Sequence, residues 1–209
     1  TAEGAETADR DSLFRSNYMP AVDLHWTFAP GWAVYGELLV DDFKTSGEGP
    51  TRLAYQLGGT RVLEGRRRLT LQAEYTRVYN YTYSVFYGRD FYHAGQPLGY
   101  PLGPDLADLN AWADLDLDLA WTVTAHGFLT RRGEGNDFRK FEEGMDPYGP
   151  FPSGVVERTT VYGLGLRWEI HGGSRLEVGV EQSAVDNRDH VSGANEESTA
   201  FRASFLWDL

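Results

Sequence analysis

Apolar and polar residues alternate with a period of two through most of this chain, and the interruptions are short and long in turn. Val22, Leu24, Trp26 and Phe28 alternate with Asp23, His25 and Thr27. The turn Ala29-Pro30-Gly31 leads into Val34, Leu38 and Val40, with Tyr35, Glu37 and Asp41 on the other face. Leu53, Tyr55 and Leu57 then alternate with Gln56 and Gly58, and Glu64-Gly65-Arg66 turns the chain into Leu69, Leu71, Ala73 and Tyr75. A clear run follows from Leu109 to Leu119, with Asp108, Asn110, Trp112, Asp114, Asp116 and Asp118 opposite the leucines and alanines. Four further runs are centred on Val123–Leu129, Tyr162–Trp168, Leu176–Val180 and Phe201–Leu209. Alternation of this length, bounded by Gly, Pro, Asn and Asp, predicts strands joined as hairpins.

Nine strands result, longer than the five or six residues usual in soluble sheets. Short turns fall at one end and long loops at the other, the loops covering residues 41–50, 79–106, 132–157 and 185–197. Strands of about 9–11 residues with that asymmetry describe a transmembrane β-barrel. The competing architecture is a soluble β-sandwich, but the polar faces carry too many carboxylates for a core in which buried charge must be paired. The expected fold is therefore all-β, an antiparallel transmembrane barrel with nine or ten strands in this chain. Tryptophan supports the reading. Trp26, Trp32, Trp121, Trp168 and Trp207 lie near predicted short turns or the last residue, as an interfacial aromatic girdle requires, while Trp112 is in mid-strand with inward parity.

Composition narrows the function. The chain has 209 residues, a net charge of −12 and no cysteine. Nucleic-acid binding is not expected from so acidic a chain, and thiolate chemistry and disulfides are excluded. A mean hydropathy of −0.45 would suggest solubility, yet an average cannot register alternation. The odd strand count, with the last strand running inward, puts the first strand's start outside the cell. Bacterial barrels normally have an even count with both ends in the periplasm. Residues 1–20 are thus expected to be an extracellular segment or the remnant of a missing strand, and residues 21–209 the C-terminal portion of a larger barrel.

The stretch from Tyr79 to Asp105 carries the densest chemistry. Eight of the 22 residues from Tyr79 to Tyr100 are Tyr or Phe, too many large rings for a disordered loop. Rings interleaved with hydrogen-bonding groups suit a sugar, so Tyr81, Tyr83, Phe86, Tyr87, Arg89, Asp90, Tyr92 and His93 are candidate carbohydrate contacts. The alternative is that these rings pack on one another and plug the lumen. Gly95, Pro97, Gly99, Gly103 and Pro104 shape the loop, since Pro fixes φ and Gly permits positive values.

The segment Phe91–Leu109, FYHAGQPLGYPLGPDLADL, resembles a motif of the capsule assembly protein Wzi family. Val34–Phe43 (VYGELLVDDF) resembles that family's strand ending in a double Asp, and Arg131–Phe138 (RRGEGNDF) resembles its loop opening. The resemblance implies the C-terminal half of an 18-stranded outer-membrane barrel that acts as a surface lectin, attaching capsular or exported polysaccharide. Its partners would be that polysaccharide, outer-membrane lipid and lipopolysaccharide, and the barrel-assembly machinery during insertion.

The pairs Asp41-Asp42 and Asp189-His190 resemble those of the omptin proteases, where carboxylates and an imidazole activate water. Convergence of Asp41 with His190 is what that reading requires. An inward wall of Glu37, Glu74, Asp108, Asp114, Asp116, Asp118, Glu169, Glu177 and Glu181, against Arg167 and Arg202, would suit a cation-preferring diffusion channel. Acidic loops offer oxygen ligands but no EF-hand spacing, and the five histidines show no zinc pattern. No catalytic residue, metal or cofactor is expected.

Overall fold

The computed structural model describes residues 19–41, 49–50, 52–84, 92–94, 96–136, 141–142, 144–146, 149–170 and 173–207. In chain order the strands are β1 (Ala21–Ala29), β2 (Trp32–Val40), β3 (Leu53–Leu63), β4 (Arg68–Val78), the two-residue β5 (Tyr92–His93) and β6 (Gln96–Pro97), then β7 (Leu106–Asp116), β8 (Trp121–Arg132), β9 (Glu157–Glu169), β10 (Arg175–Asp186) and β11 (Glu196–Leu206). The nine long strands form one antiparallel sheet in simple meander order, β1-β2-β3-β4-β7-β8-β9-β10-β11. No second sheet packs on it among the described residues beyond the β5-β6 pair, so the sandwich is not what forms. Nor is the sheet closed: β1 and β11 are its edges, and every residue of β11 is exposed.

The registers decide the faces. Leu57 lies opposite Tyr75, Tyr75 opposite Leu109, and Leu109 opposite Leu129. Likewise Val123, Leu166, Val178 and Ala203 form one row across four strands. All nine apolar sets therefore fall on one face, because a side-chain period of two admits only one consistent assignment once neighbours are in register. That face is bare. Val22, Leu24, Leu57, Leu164, Phe201 and Phe205 are among its exposed large hydrophobics, whereas the buried apolar residues number five among those described: Ala54, Val78, Tyr81, Tyr83 and Leu106.

Aromatic residues close the apolar face at the short-turn end. Trp121 stacks on Trp168 at 5.3 Å, Phe28 on Trp32 at 5.9 Å, and Phe205 meets Trp207 edge-on at 5.7 Å. Arg61 lies over the Trp32 ring at 4.4 Å and donates to the Pro30 carbonyl, tying down the β1-β2 turn. The opposite end of the same face carries Tyr55, Tyr75 and Tyr79 and the row Arg77, Ala107, Arg131, Arg158.

The other face is polar and laced across strands. Tyr35 lies over Gly58 and donates to Glu74 at 2.5 Å, and the His126 ring lies over Gly163 to meet Glu181 at 3.0 Å. In both, a glycine on the middle strand leaves room for a side chain to bridge two strand spacings; a Cβ on either would sit within 2.5 Å of the crossing ring. Trp112 is on this face, as its parity predicts, edge-on to Phe128 at 5.6 Å. Cations on this face outnumber the sequence expectation of Arg167 and Arg202. Arg68 pairs with Asp116, Arg132 with Glu157, and Arg167 and Arg175 with Glu177.

Two expectations need correction. The β7 strand stops at Asp116, and residues 117–120 turn. Asp118 is no wall residue: its carboxylate accepts the Ala120 and Trp121 N–H groups at 2.8 and 2.9 Å, which closes the turn locally and leaves Leu119 fully exposed. The region read as an irregular loop also contains the β5-β6 hairpin, invisible to pattern reading because two residues per strand carry no periodicity.

Candidate functional site at the long-loop end

On the polar face one cross-strand row turns apolar. Leu39, Ala54, Val78 and Leu106 occupy successive strands β2, β3, β4 and β7 at the long-loop end. Ala54, Val78 and Leu106 join Tyr83 in a buried cluster of the described residues, with Leu39, Met19 and Tyr100 packed against it. The loop after β4 therefore folds back over the polar face and docks where that face offers apolar surface.

Residues 79–84 form the docking turn. Tyr79 N–H donates to Leu53 O, Thr82 Oγ1 donates to the same carbonyl, and Ser84 Oγ donates to Tyr81 O. Tyr81 and Tyr83 both hold positive φ, 68° and 74°, which costs an L-residue roughly 1–2 kcal/mol each. Burial of the two rings, at about 1.5–3 kcal/mol per large side chain, offsets that strain. The Tyr83 ring lies on Gly99, where a Cβ would come within 2.6 Å, and its hydroxyl accepts the Tyr100 N–H. Asp41, fully buried, accepts the Tyr83 N–H at 3.0 Å.

Asp105 is the second latch. It is fully buried and sits at φ 61°. Its carboxylate accepts the Gly135 N–H at 2.9 Å, the Ser153 N–H at 3.1 Å and the Ser153 hydroxyl at 2.5 Å, while its carbonyl accepts the Gly133 N–H at 2.8 Å. A Cβ on Gly133 or Gly135 would reach within 2.1 or 2.5 Å of the Asp105 side chain, so both positions must be glycine for it to enter. One carboxylate thus fastens the end of the 79–105 loop to the 133–156 loop.

Beside Tyr83 lies a cleft of about 260 Å³, lined by Glu37, Gln56, Thr76, Leu98, Gly99, Tyr100 and Pro101 among others. Tyr100 donates to Asp108 at 2.7 Å, and Asp108 also accepts from Asn110 and Thr130. Burial, reinforced by the Asp108 carboxylate, raises the Tyr100 phenol well above its ordinary range. Thr76 is buried in the same cleft.

Of the residues expected to contact sugar, Tyr81 and Tyr83 are 7% and 6% exposed, so protein covers their ring faces. Tyr81 packs edge-on against Phe141 at 5.6 Å. Phe86, Tyr87, Arg89 and Asp90 lie outside the described residues, as do the side chains of Tyr92 and His93. Among the loop-shaping positions, Gly103 has φ 80° and donates to Tyr100 O in a turn ahead of Pro104; Pro97 is in β6; Gly99 serves close approach to Tyr83; Gly95 lies outside the described residues. Asp41 and His190 do not share a contact. His190 meets the Val155 carbonyl at 2.8 Å, on the loop after β10, with five strands separating β10 from β2 in the sheet. Sequence reasoning missed Ser153, Gly133 and Gly135 as partners, and treated Asp105 only as part of a turn.

These features define a class: an open nine-stranded antiparallel meander with one bare apolar face and a latched loop over the other. No protein-family model matches this chain, and no curated protein or solved structure matches it.

Proposed function

We propose that this chain forms part of the wall of a bacterial outer-membrane β-barrel whose long loops hold a surface polysaccharide. The observation that carries the membrane half is the apolar face and its two boundaries. From Trp121 to Arg131 along β8 is about 33 Å at roughly 3.3 Å per residue, or ~25 Å across a bilayer at a strand tilt near 40°. That is the height of the apolar band in such barrels, with Trp at one interface and Tyr and Arg at the other. Lipid also demands that edge backbone groups be paired. β1 and β11 would find partners by closure of the sheet or in further strands.

The polysaccharide half rests on the Wzi-like segments and on how they meet. Asp41, from the double-Asp segment, receives the Tyr83 N–H; Asp105, from the Leu-Gly-Pro-Asp segment, receives Gly135 from RRGEGNDF. Beside these contacts the cleft presents Glu37, Gln56 and Tyr100, polar groups with an aromatic ring, as sugar recognition requires. The test is retention of surface polysaccharide by cells producing the full-length protein with Gln56→Ala and Leu98→Ala. Polysaccharide shed into the medium supports the reading. Unchanged retention with normal protein levels removes the cleft as the holding site.

One observation favours a diffusion channel as the second reading. A cleft of about 240 Å³ across β8–β11 is lined by Thr124, His126, Arg167, Glu177, Glu181 and Arg202 from the polar face, together with Leu164, Leu166, Val178, Val180 and Phe201 from the apolar one. Stepwise cation-selective conductance in planar bilayers would favour it, and a silent bilayer would favour the plugged scaffold.

A further inference from the structure

We propose that Arg77, Arg131 and Arg158 receive the phosphate groups of a membrane lipid headgroup, an inference that rests on the membrane reading above. The three lie in one register row on the apolar side, on β4, β8 and β9, with Ala107 of β7 between the first two. Arg131 and Arg158 are directly opposite each other, and both are exposed. Like charges placed so destabilise a strand pair unless an anion joins them. Yet neither forms an ion pair with a described residue. The acids nearby on that face are Asp186, opposite Arg158, and Glu197, two residues lower on β11. Neither forms an ion pair with these arginines. Arg77 is held in place by aromatic rings, its guanidinium 4.4 Å from the Tyr79 centroid and 3.9 Å from that of Phe151.

Position selects the occupant. The row stands at the edge of the apolar band, where lipid phosphates lie, and faces away from the polar wall and its cleft. It spans three strand spacings, about 15 Å, enough for a headgroup bearing more than one phosphate. Guanidinium groups suit the task because their planar fork binds phosphate oxygens in pairs. The neighbouring Tyr55, Tyr75 and Tyr79 supply rings at the same level, the usual companions of a headgroup layer.

The experiment uses the full-length protein extracted in a zwitterionic detergent, with Arg131→Gln and Arg158→Gln alone and together. Heat-dependent electrophoretic mobility first establishes that each variant is a folded barrel; a wild-type chain that never shows it overturns both the membrane reading and this inference. Binding is then measured to a diphosphorylated disaccharide lipid, to its dephosphorylated form and to inorganic phosphate. The phosphorylated lipid is expected to bind best, and each substitution to weaken it roughly tenfold, the usual worth of one charge-assisted contact. The substitutions should also raise thermal stability in detergent alone, by removing repulsion, and lower it relative to wild type once the phosphorylated lipid is added. Folded variants that bind the phosphorylated lipid as tightly as wild type overturn the inference and leave the membrane reading intact. Free phosphate or the dephosphorylated lipid binding as tightly as the phosphorylated lipid overturns it as well.

Discussion

Removing the Asp105 carboxylate is the sharpest test of how the long-loop end is held. The substitution Asp105→Ala leaves three donors facing a void: the Gly135 and Ser153 N–H groups and the Ser153 hydroxyl. Hydrogen bonds to a charged acceptor contribute about 1.5–3 kcal/mol each, partly offset by the cost of burying the carboxylate, so a net loss of roughly 3–4 kcal/mol is expected. Alanine adds about 1 kcal/mol of strain at φ 61°. Asp105→Asn separates the two effects, because Asn tolerates the left-handed region and keeps one accepting oxygen but turns an amide NH₂ toward a second donor. The loss should open the loops and not the sheet, since β7 and β8 keep their full ladder. Hydrogen exchange reads this directly. Amides of Gly133, Gly135 and Ser153 should exchange about 10³–10⁴-fold faster in Asp105→Ala, where the lost bonds and the strain together amount to about 4–5 kcal/mol, and by a smaller factor in Asp105→Asn, with Leu109–Leu115 unchanged. Exchange of the loop amides within roughly threefold of wild type in both variants would refute the latch.

Other expectations follow from the same geometry. Gly99→Val, which drives a side chain into the Tyr83 ring, should expose Tyr83 and make residues 79–84 cleavable by chymotrypsin; an unaltered digest would sink the docking turn. In lipid vesicles, brominated lipids labelled near the headgroup should quench the tryptophan emission more than those labelled at chain ends, because Trp26, Trp32, Trp121, Trp168 and Trp207 border the apolar face. Equal quenching from both depths would count against the girdle. The Tyr100 phenol, raised by burial and by Asp108, favours the neutral form in the folded chain. Its contribution is therefore complete below the ordinary tyrosine pKa of about 10 and is lost as pH rises through the elevated folded value. The difference in 295 nm titration between wild type and Tyr100→Phe should show one late-ionising phenol, and a difference centred near pH 10 would contradict the burial.

Strand number, order and faces were legible in the sequence because alternation is a local property that neighbouring strands must share. Leu109 predicts its own face, and the register then confirms it against Tyr75 and Leu129. What was not legible depends on distance. Asp118 reads as one more member of an alternating acidic row, and only the closeness of the Ala120 and Trp121 amides reveals a turn. The inner row Leu39, Ala54, Val78, Leu106 is drawn from four strands, and each residue alone looks like an ordinary end of a polar face. Asp105 carried a signal that could have been used: an acid between Pro104 and Leu106, followed some thirty residues later by Gly-Glu-Gly. Pairing the two needed the fold.

The two faces together explain why a loop must be latched at all. Val22, Leu24, Leu57, Leu164, Phe201, Phe205 and their neighbours leave a broad apolar surface open. At roughly 25 cal/mol per Å², even half-exposure of some twenty such side chains costs tens of kcal/mol in water. A domain's net stability is only about 5–15 kcal/mol, and a core of five described apolar residues cannot supply the difference. On the proposed membrane reading, an apolar surrounding would supply that energy to the strands but would offer nothing to loops beyond its edge. There the chain depends on its own devices: one apolar row, two strained tyrosines and the buried carboxylates Asp41 and Asp105. Weakening Asp105 should release the loops while the wall stands, whereas weakening the wall should release both.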